Sequence, residues 1–131
     1  MRETEVRRAA ETLIQTYRTH EPFSLCRALG VDVLFVPLTK NVRAFSYRGK
    51  GLDQIYLDES LSETEQVILL AHELGHRVLH GGLNFFFLHD RTFFPLGQWE
   101  HEADLFARCL LENAVLDLTD VSPAVRGILL N

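Results

Sequence analysis

The sequence predicts a small α+β domain of about five helices, with a three-stranded antiparallel sheet next to a central apolar helix. Three observations carry that expectation. Apolar residues recur at helical spacing towards both ends of the chain, the period changes to β-branched and aromatic runs between Val31 and Leu57, and 131 residues, 47% of them hydrophobic, suffice for one core. No repeat, low-complexity tract or linker interrupts the chain, so residues 1–131 read as a single domain.

Val6, Ala9, Ala10, Leu13, Ile14 and Tyr17 share a helical face, which makes the first twenty residues an amphipathic helix ending before Pro22. Its arginines, Arg2, Arg7, Arg8 and Arg18, alternate with Glu3, Glu5 and Glu11, the pattern of a solvated surface. A short helix from Ser24 to Leu29 follows, with Gly30 as its left-handed stop. Val31 to Leu38, Val42 to Tyr47 and Leu52 to Leu57 favour pleated backbone, and Gly49-Lys50-Gly51 supplies a turn, so these are three strands of which the last two form a hairpin. Ser62 and Glu65 make a capping box at the head of the next helix, which Gly81-Gly82 ends. From Leu83 to Gln98 no period holds. Phe85, Phe86, Phe87, Phe93 and Phe94 surround a polar His89-Asp90-Arg91-Thr92, which predicts an irregular segment over the core; a substrate groove or partner surface is the other use for such rings. A helix from about Trp99 to Asn113, and a terminal one with Ser122 as N-cap and Pro123 at N1, complete the pattern.

Composition excludes several classes. A formal charge of −5 argues against gripping a phosphate backbone, so no direct nucleic-acid binding is expected. The charged start has no apolar leader, and no apolar run approaches the roughly eighteen residues of a membrane span, which predicts a cytoplasmic protein without a membrane partner. Cys26 and Cys109 form no CxxC pair, and both read as reduced core residues.

The chemistry is concentrated in His72-Glu73-Leu74-Gly75-His76, set between Val67-Ile68-Leu69-Leu70-Ala71 and Val78-Leu79. Positions four apart share a helical face, so His72 and His76 can aim two ring nitrogens at one metal ion with Glu73 beside it. Such a helix is apolar enough to be buried, and unpartnered polar groups there cost roughly 2 to 7 kcal/mol each. A shared zinc is the natural partner; two core histidines satisfied by carbonyls are the bland alternative. Catalytic zinc takes three protein ligands and keeps a fourth position open. His80 stands eight residues beyond His72, about 12 Å along the axis, too far to share an ion, and reads as a surface or supporting histidine. Glu100 and Asp104 lie four apart on the following helix, where small Ala103 and Ala107 permit close approach. That suits Glu100 as third ligand, with Asp104 accepting the other ring N–H of a ligating histidine. Glu102 points roughly 200° away from Glu100 and is the rival; His101 is a lesser one.

With HELGH upstream and Glu100-x-x-Ala103-Asp104-x-Phe106-Ala107 downstream, the chain resembles the ImmA/IrrE family of zinc metallopeptidases. Leu25 to Val33, Ile55-Tyr56-Leu57-Asp58 and the segment from Gly82 through Pro95 are similar to regions of that family, the last to phage-type members. The resemblance implies a small zincin-like, gluzincin-like domain with one Zn2+ per chain. It also implies a peptide substrate, often a helix-turn-helix repressor encoded nearby that the peptidase cleaves; some members instead act in toxin-antitoxin-like pairs. Some members carry a fused DNA-binding domain; these residues hold no pattern for one, so none is expected.

In the expected reaction Glu73 takes a proton from water attacking a peptide carbonyl and passes it to the departing amine, while zinc acidifies the water and stabilises the oxyanion. The substrate would lie extended, adding a strand to the edge of the Leu52 to Leu57 hairpin. Larger gluzincins steady the oxyanion with a histidine or tyrosine beyond the third ligand, but none follows Asp104. Tyr47, Tyr56, His89 and Arg91 remain as candidates. The rival class is a non-catalytic zincin-like module that regulates a repressor or antitoxin by binding it.

Overall fold

In the computed structural model, residues 1–39, 41–81 and 97–130 are described in full and residues 86–88 as backbone. Helix α1 (Glu3–Tyr17) ends at Arg18, whose φ of 56° turns the chain left-handed. It is shorter than the twenty-residue expectation because this turn precedes Pro22. Helix α2 (Pro22–Leu29) starts two residues before Ser24: the Glu21 carboxylate accepts from the amides of Phe23 at 2.8 Å and Ser24 at 3.1 Å, and Pro22 occupies the first turn. Gly30, at φ 74°, stops it as expected.

Strands β1 (Asp32–Val36), β2 (Val42–Gly49) and β3 (Leu52–Asp58) follow. The β2–β3 hairpin closes through Lys50 and Gly51, both at positive φ (51° and 78°), the backbone of a two-residue turn that follows the sheet twist. The sheet departs from the expected three antiparallel strands. Among the described residues it is mixed and four-stranded, in the order β1-β3-β2-β4, with β1 parallel to β3 and a short β4 (Phe86–Leu88) antiparallel to β2. The chain crosses from β1 to β2 and returns between them, which centres β3 and buries Ile55 and Leu57. Part of the segment expected to be irregular is therefore a strand. Both long edges of the hairpin are occupied, β3 by β1 and β2 by β4, so a peptide cannot add to β3.

Helix α3 (Glu63–Leu79) begins with the expected capping box: the Ser62 hydroxyl accepts from the Glu65 amide at 3.2 Å, and the Glu65 carboxylate accepts from the Ser62 amide at 2.9 Å. It leaves helical geometry at His80, one residue before the glycine pair. Ile68, Leu69, Leu70, Ala71 and Leu74 fill the core between sheet and helices, and the Arg77 Nε and Nη2 donate to Asp53 Oδ2 at 2.6 and 2.5 Å, tying α3 to β3. Helix α4 (Gln98–Leu110) packs along α3, and α5 (Pro123–Leu130) closes the base, where the Ser122 hydroxyl accepts from the Val125 amide. The second oxygen of Glu65 accepts from the Ser122 amide at 3.1 Å, so one carboxylate joins the starts of α3 and α5. Cys26 and Cys109 are buried free thiols. Among the described residues no helix is long and apolar enough to cross a membrane.

Candidate metal centre

The approach of α3 and α4 places the site. Gly75 faces Ala103 so closely that a Cβ would lie 3.1 to 3.2 Å from its neighbours, and the helices meet at the level of His72 and His76. Both rings are buried, edge to face with centroids 4.8 Å apart. Glu100 reaches across from α4: its Oε2 lies 3.1 Å from His72 Nε2 and 2.7 Å from His76 Nε2. One ligand atom from each of the three lies within 4.8 Å of the other two. A tetrahedral zinc site with ligand bonds of about 2.0 Å has donor separations of roughly 3.3 Å, close to the contacts seen. Two neutral nitrogens and one carboxylate oxygen are a fitting donor set for that ion.

Asp104, one turn beyond Glu100, lies 2.9 Å from His72 Nδ1. As an ionised carboxylate it can only accept, so the His72 proton resides on Nδ1 and Nε2 is left facing Glu100. Burial alone would lower the pKa of His72, but Asp104 and Glu100 outweigh it and hold it up to about 9. Carboxylates on both sides demand a positive charge there, a demand that a proton or a metal cation meets equally. Burial pushes His76 down to about 4 against the pull of Glu100, which keeps that ring neutral. For Glu100, hydrogen bonding to the two histidines overcomes burial and holds the carboxyl far below its usual range.

Glu73 is fully buried beside this cluster. Neither of its oxygens makes a hydrogen bond of ordinary geometry among the described residues, although the Ser46 hydroxyl on β2 is near enough to favour its anion. Burial raises its pKa to about 8; His72 opposes the rise, and Glu100 adds to it. A carboxylate tuned to near-neutral pH at a cluster of donors has the properties of a general base.

The other residues singled out in the sequence lie elsewhere. Ala44 pairs with Leu57 and Ser46 with Ile55, so these positions face the core and α3; Phe45 with Tyr56 and Tyr47 with Gln54 occupy the opposite face. Tyr56 stacks on Phe45 at 4.5 Å and donates to Gln54 Oε1 at 2.7 Å, while Tyr47 lies over Gly49. Neither tyrosine faces the cluster, a correction to their candidacy as oxyanion stabilisers. His89 and Arg91 lie outside the described residues, as do the rings of the phenylalanine segment. His101 is exposed. Glu102 turns away from Glu100, accepting from Gln98 Nε2 at 3.0 Å and meeting the Met1 amine at 3.1 Å. His80 is buried, against the surface reading, with Nδ1 3.0 Å from His76 Nδ1 and Nε2 2.7 Å from Glu102. Ser46 was missed: alternation places it on a face of β2, but only the packing of α3 tells which face is inward.

Comparison with known proteins bears on this geometry. The family profile described as Peptidase M78, IrrE N-terminal-like domain, matches residues 26–114, a span that holds His72, Glu73, His76, Glu100 and Asp104. A protein named uncharacterized immunity region protein 2, of Bacillus phage phi105, is 32% identical over 108 residues, 82% of this chain and 68% of that protein. Metallopeptidase ImmA of Bacillus subtilis (strain 168) is 28% identical over 128 residues, 93% of this chain and 71% of that protein. No solved structure matches significantly.

Proposed function

The chain belongs to the ImmA/IrrE family, that of IrrE N-terminal-like domains, and from that premise we propose that it is a zinc-dependent metalloendopeptidase that cleaves a helix-turn-helix repressor in the cytoplasm. One observation carries the reading: His72, His76 and Glu100 converge beside a fully buried Glu73 whose oxygens make no hydrogen bond of ordinary geometry among the described residues. Zinc held by those three residues would supply Lewis-acid chemistry, acidifying water and polarising the scissile carbonyl. Glu73 accepts the proton of the attacking water as the new C–O bond forms, and delivers it to the amine nitrogen as the C–N bond breaks. Asp104 keeps His72 in the tautomer that directs Nε2 to the cluster. A module that only held a partner would have no use for a carboxylate buried at a cost of several kcal/mol.

The repressor as substrate is supported by the immunity-region name of the phage relative and the metallopeptidase name of the bacterial one. The test is to incubate the zinc-loaded protein with the repressor encoded beside its gene, next to Glu73→Gln. Wild type is expected to cut the repressor and Glu73→Gln to hold zinc without cutting. Equal cleavage by both would remove Glu73 as the base; an intact repressor that co-purifies with the wild type would favour a binding module.

A further inference from the structure

We propose that His80 and Glu102 form a positioning chain that fixes the tautomer and aim of His76, as Asp104 does for His72; the inference rests on the metal-centre reading above. The chain runs Glu102 Oε1 to His80 Nε2 at 2.7 Å, then His80 Nδ1 to His76 Nδ1 at 3.0 Å. Only one proton arrangement makes both contacts hydrogen bonds between neutral rings and an ionised carboxylate. Glu102 can only accept, so His80 carries its proton on Nε2. Its Nδ1 is then bare and accepts from His76 Nδ1–H, which leaves the lone pair of His76 on Nε2, 2.7 Å from Glu100. Proton positions follow from the network, and with both rings neutral and a cation shared by His76 Nε2 and Glu100 this arrangement satisfies both contacts.

The surroundings hold this chain in place. His80 and Glu102 are both buried, Trp99 stacks on the His80 ring at 5.1 Å with planes 17° apart, and Gln98 donates to the second oxygen of Glu102 at 3.0 Å. The turn at His80 explains why this histidine supports and does not ligate. It leaves the helix at φ −126°, and its ring lies against His76 on the side away from Glu100. The two ligating histidines thus have separate carboxylate supports, both from α4: Asp104 directly, and Glu102 through a second imidazole.

The experiment measures zinc affinity by chelator competition, and the visible spectrum of the Co2+-substituted full chain, for wild type, His72→Ala, His80→Ala, His80→Gln and Glu102→Ala. Folding of each variant is checked by circular dichroism. His80→Ala is expected to weaken zinc by about 10 to 100-fold and to shift the cobalt bands. His80→Gln, whose amide can accept from His76 and donate to Glu102, should recover most of the affinity. A role confined to packing would lower the melting temperature and leave the folded protein's zinc affinity and cobalt spectrum unchanged. Wild-type affinity in folded His80→Ala, or no recovery in His80→Gln, overturns the inference. Should His80→Ala not fold, Glu102→Ala decides: a loss of about 10-fold supports the chain, and wild-type affinity overturns it. Zinc bound by wild type and lost in His72→Ala keeps the metal centre standing in each of those cases. Equally weak zinc in both overturns the metal centre and the inference together.

Discussion

Gly75 of α3 and Ala103 of α4 touch backbone to backbone: a Cβ added at position 75 would lie 3.2 Å from both the Ala103 Cα and its carbonyl oxygen, and 3.1 Å from the Phe106 Cβ. The two histidines stand three residues before and one after Gly75, and Glu100 and Asp104 stand three before and one after Ala103. Contact at this point sets the distance across which the donors meet.

Gly75→Ala should therefore cost both stability and metal. Alanine gains up to about 1 kcal/mol of helix propensity, but the neighbours, mostly Ala103 backbone, must shift by tenths of an ångström. Overpacking of about 1 to 3 kcal/mol should win. Thermal melts are expected to fall and zinc affinity to drop as α4 carries Glu100 outward; a more stable variant with unchanged zinc binding would show that this contact does not set the donor distance.

Elemental analysis of Glu100→Ala and His101→Ala separates the ligand from its exposed neighbour. We expect about one zinc per chain in wild type and His101→Ala, and little in Glu100→Ala, because two imidazoles alone leave the site one protein ligand short. Full zinc in Glu100→Ala would place the third ligand elsewhere.

Asp104→Asn keeps an oxygen for the His72 Nδ1–H but removes its charge. Zinc affinity should fall by roughly 10 to 100-fold, with the fold intact by circular dichroism. Unchanged affinity would mean that the 2.9 Å contact with His72 does not tune the ligand.

Acid should undo the junction at Glu65. Burial opposes ionisation there, but hydrogen bonds from Ser62 and Ser122 prevail and hold the carboxyl below its ordinary value. A folded-state pKa below the unfolded one adds stability that is complete above the unfolded value and is lost as pH falls through the folded value. Asp58, whose burial is outweighed by hydrogen bonds from Ser60 and Leu38 and by Arg43, has the same sign. Denaturant melts from pH 7 down through the carboxylate range should therefore show falling stability. Glu65→Gln should start roughly 1 to 3 kcal/mol lower and fall less steeply; parallel curves for the two proteins would contradict this.

What was legible in the sequence was local. The capping box of Ser62 and Glu65, the stop at Gly30 and the shared face of Glu100 and Asp104 depend on residues within one or two turns, and each has a spacing that can be read directly. The order of the strands depends on pairing between distant segments, which composition does not encode, and so β1 joined β3 in parallel against expectation. Tyr47 and Tyr56 failed as candidates for a related reason: alternation separates two faces without saying which one α3 covers. His80 reads as too far from His72 to share an ion and stands outside the donor cluster, but that it is buried against His76 depends on contacts with Glu102, on another helix. Gly75 stood in plain view inside the motif, but its meaning belongs to Ala103, on another helix.

The parallel pairing of β1 with β3 also has a kinetic consequence. The β2–β3 hairpin can close through its own two-residue turn, whereas β1 has no partner until β3 is in place, so it must dock late against a ready-made edge. In stopped-flow measurements Val33→Ala, opposite Ile55, should then speed unfolding and leave the folding rate nearly unchanged. The seam along which this sheet comes apart would be the one it closes last.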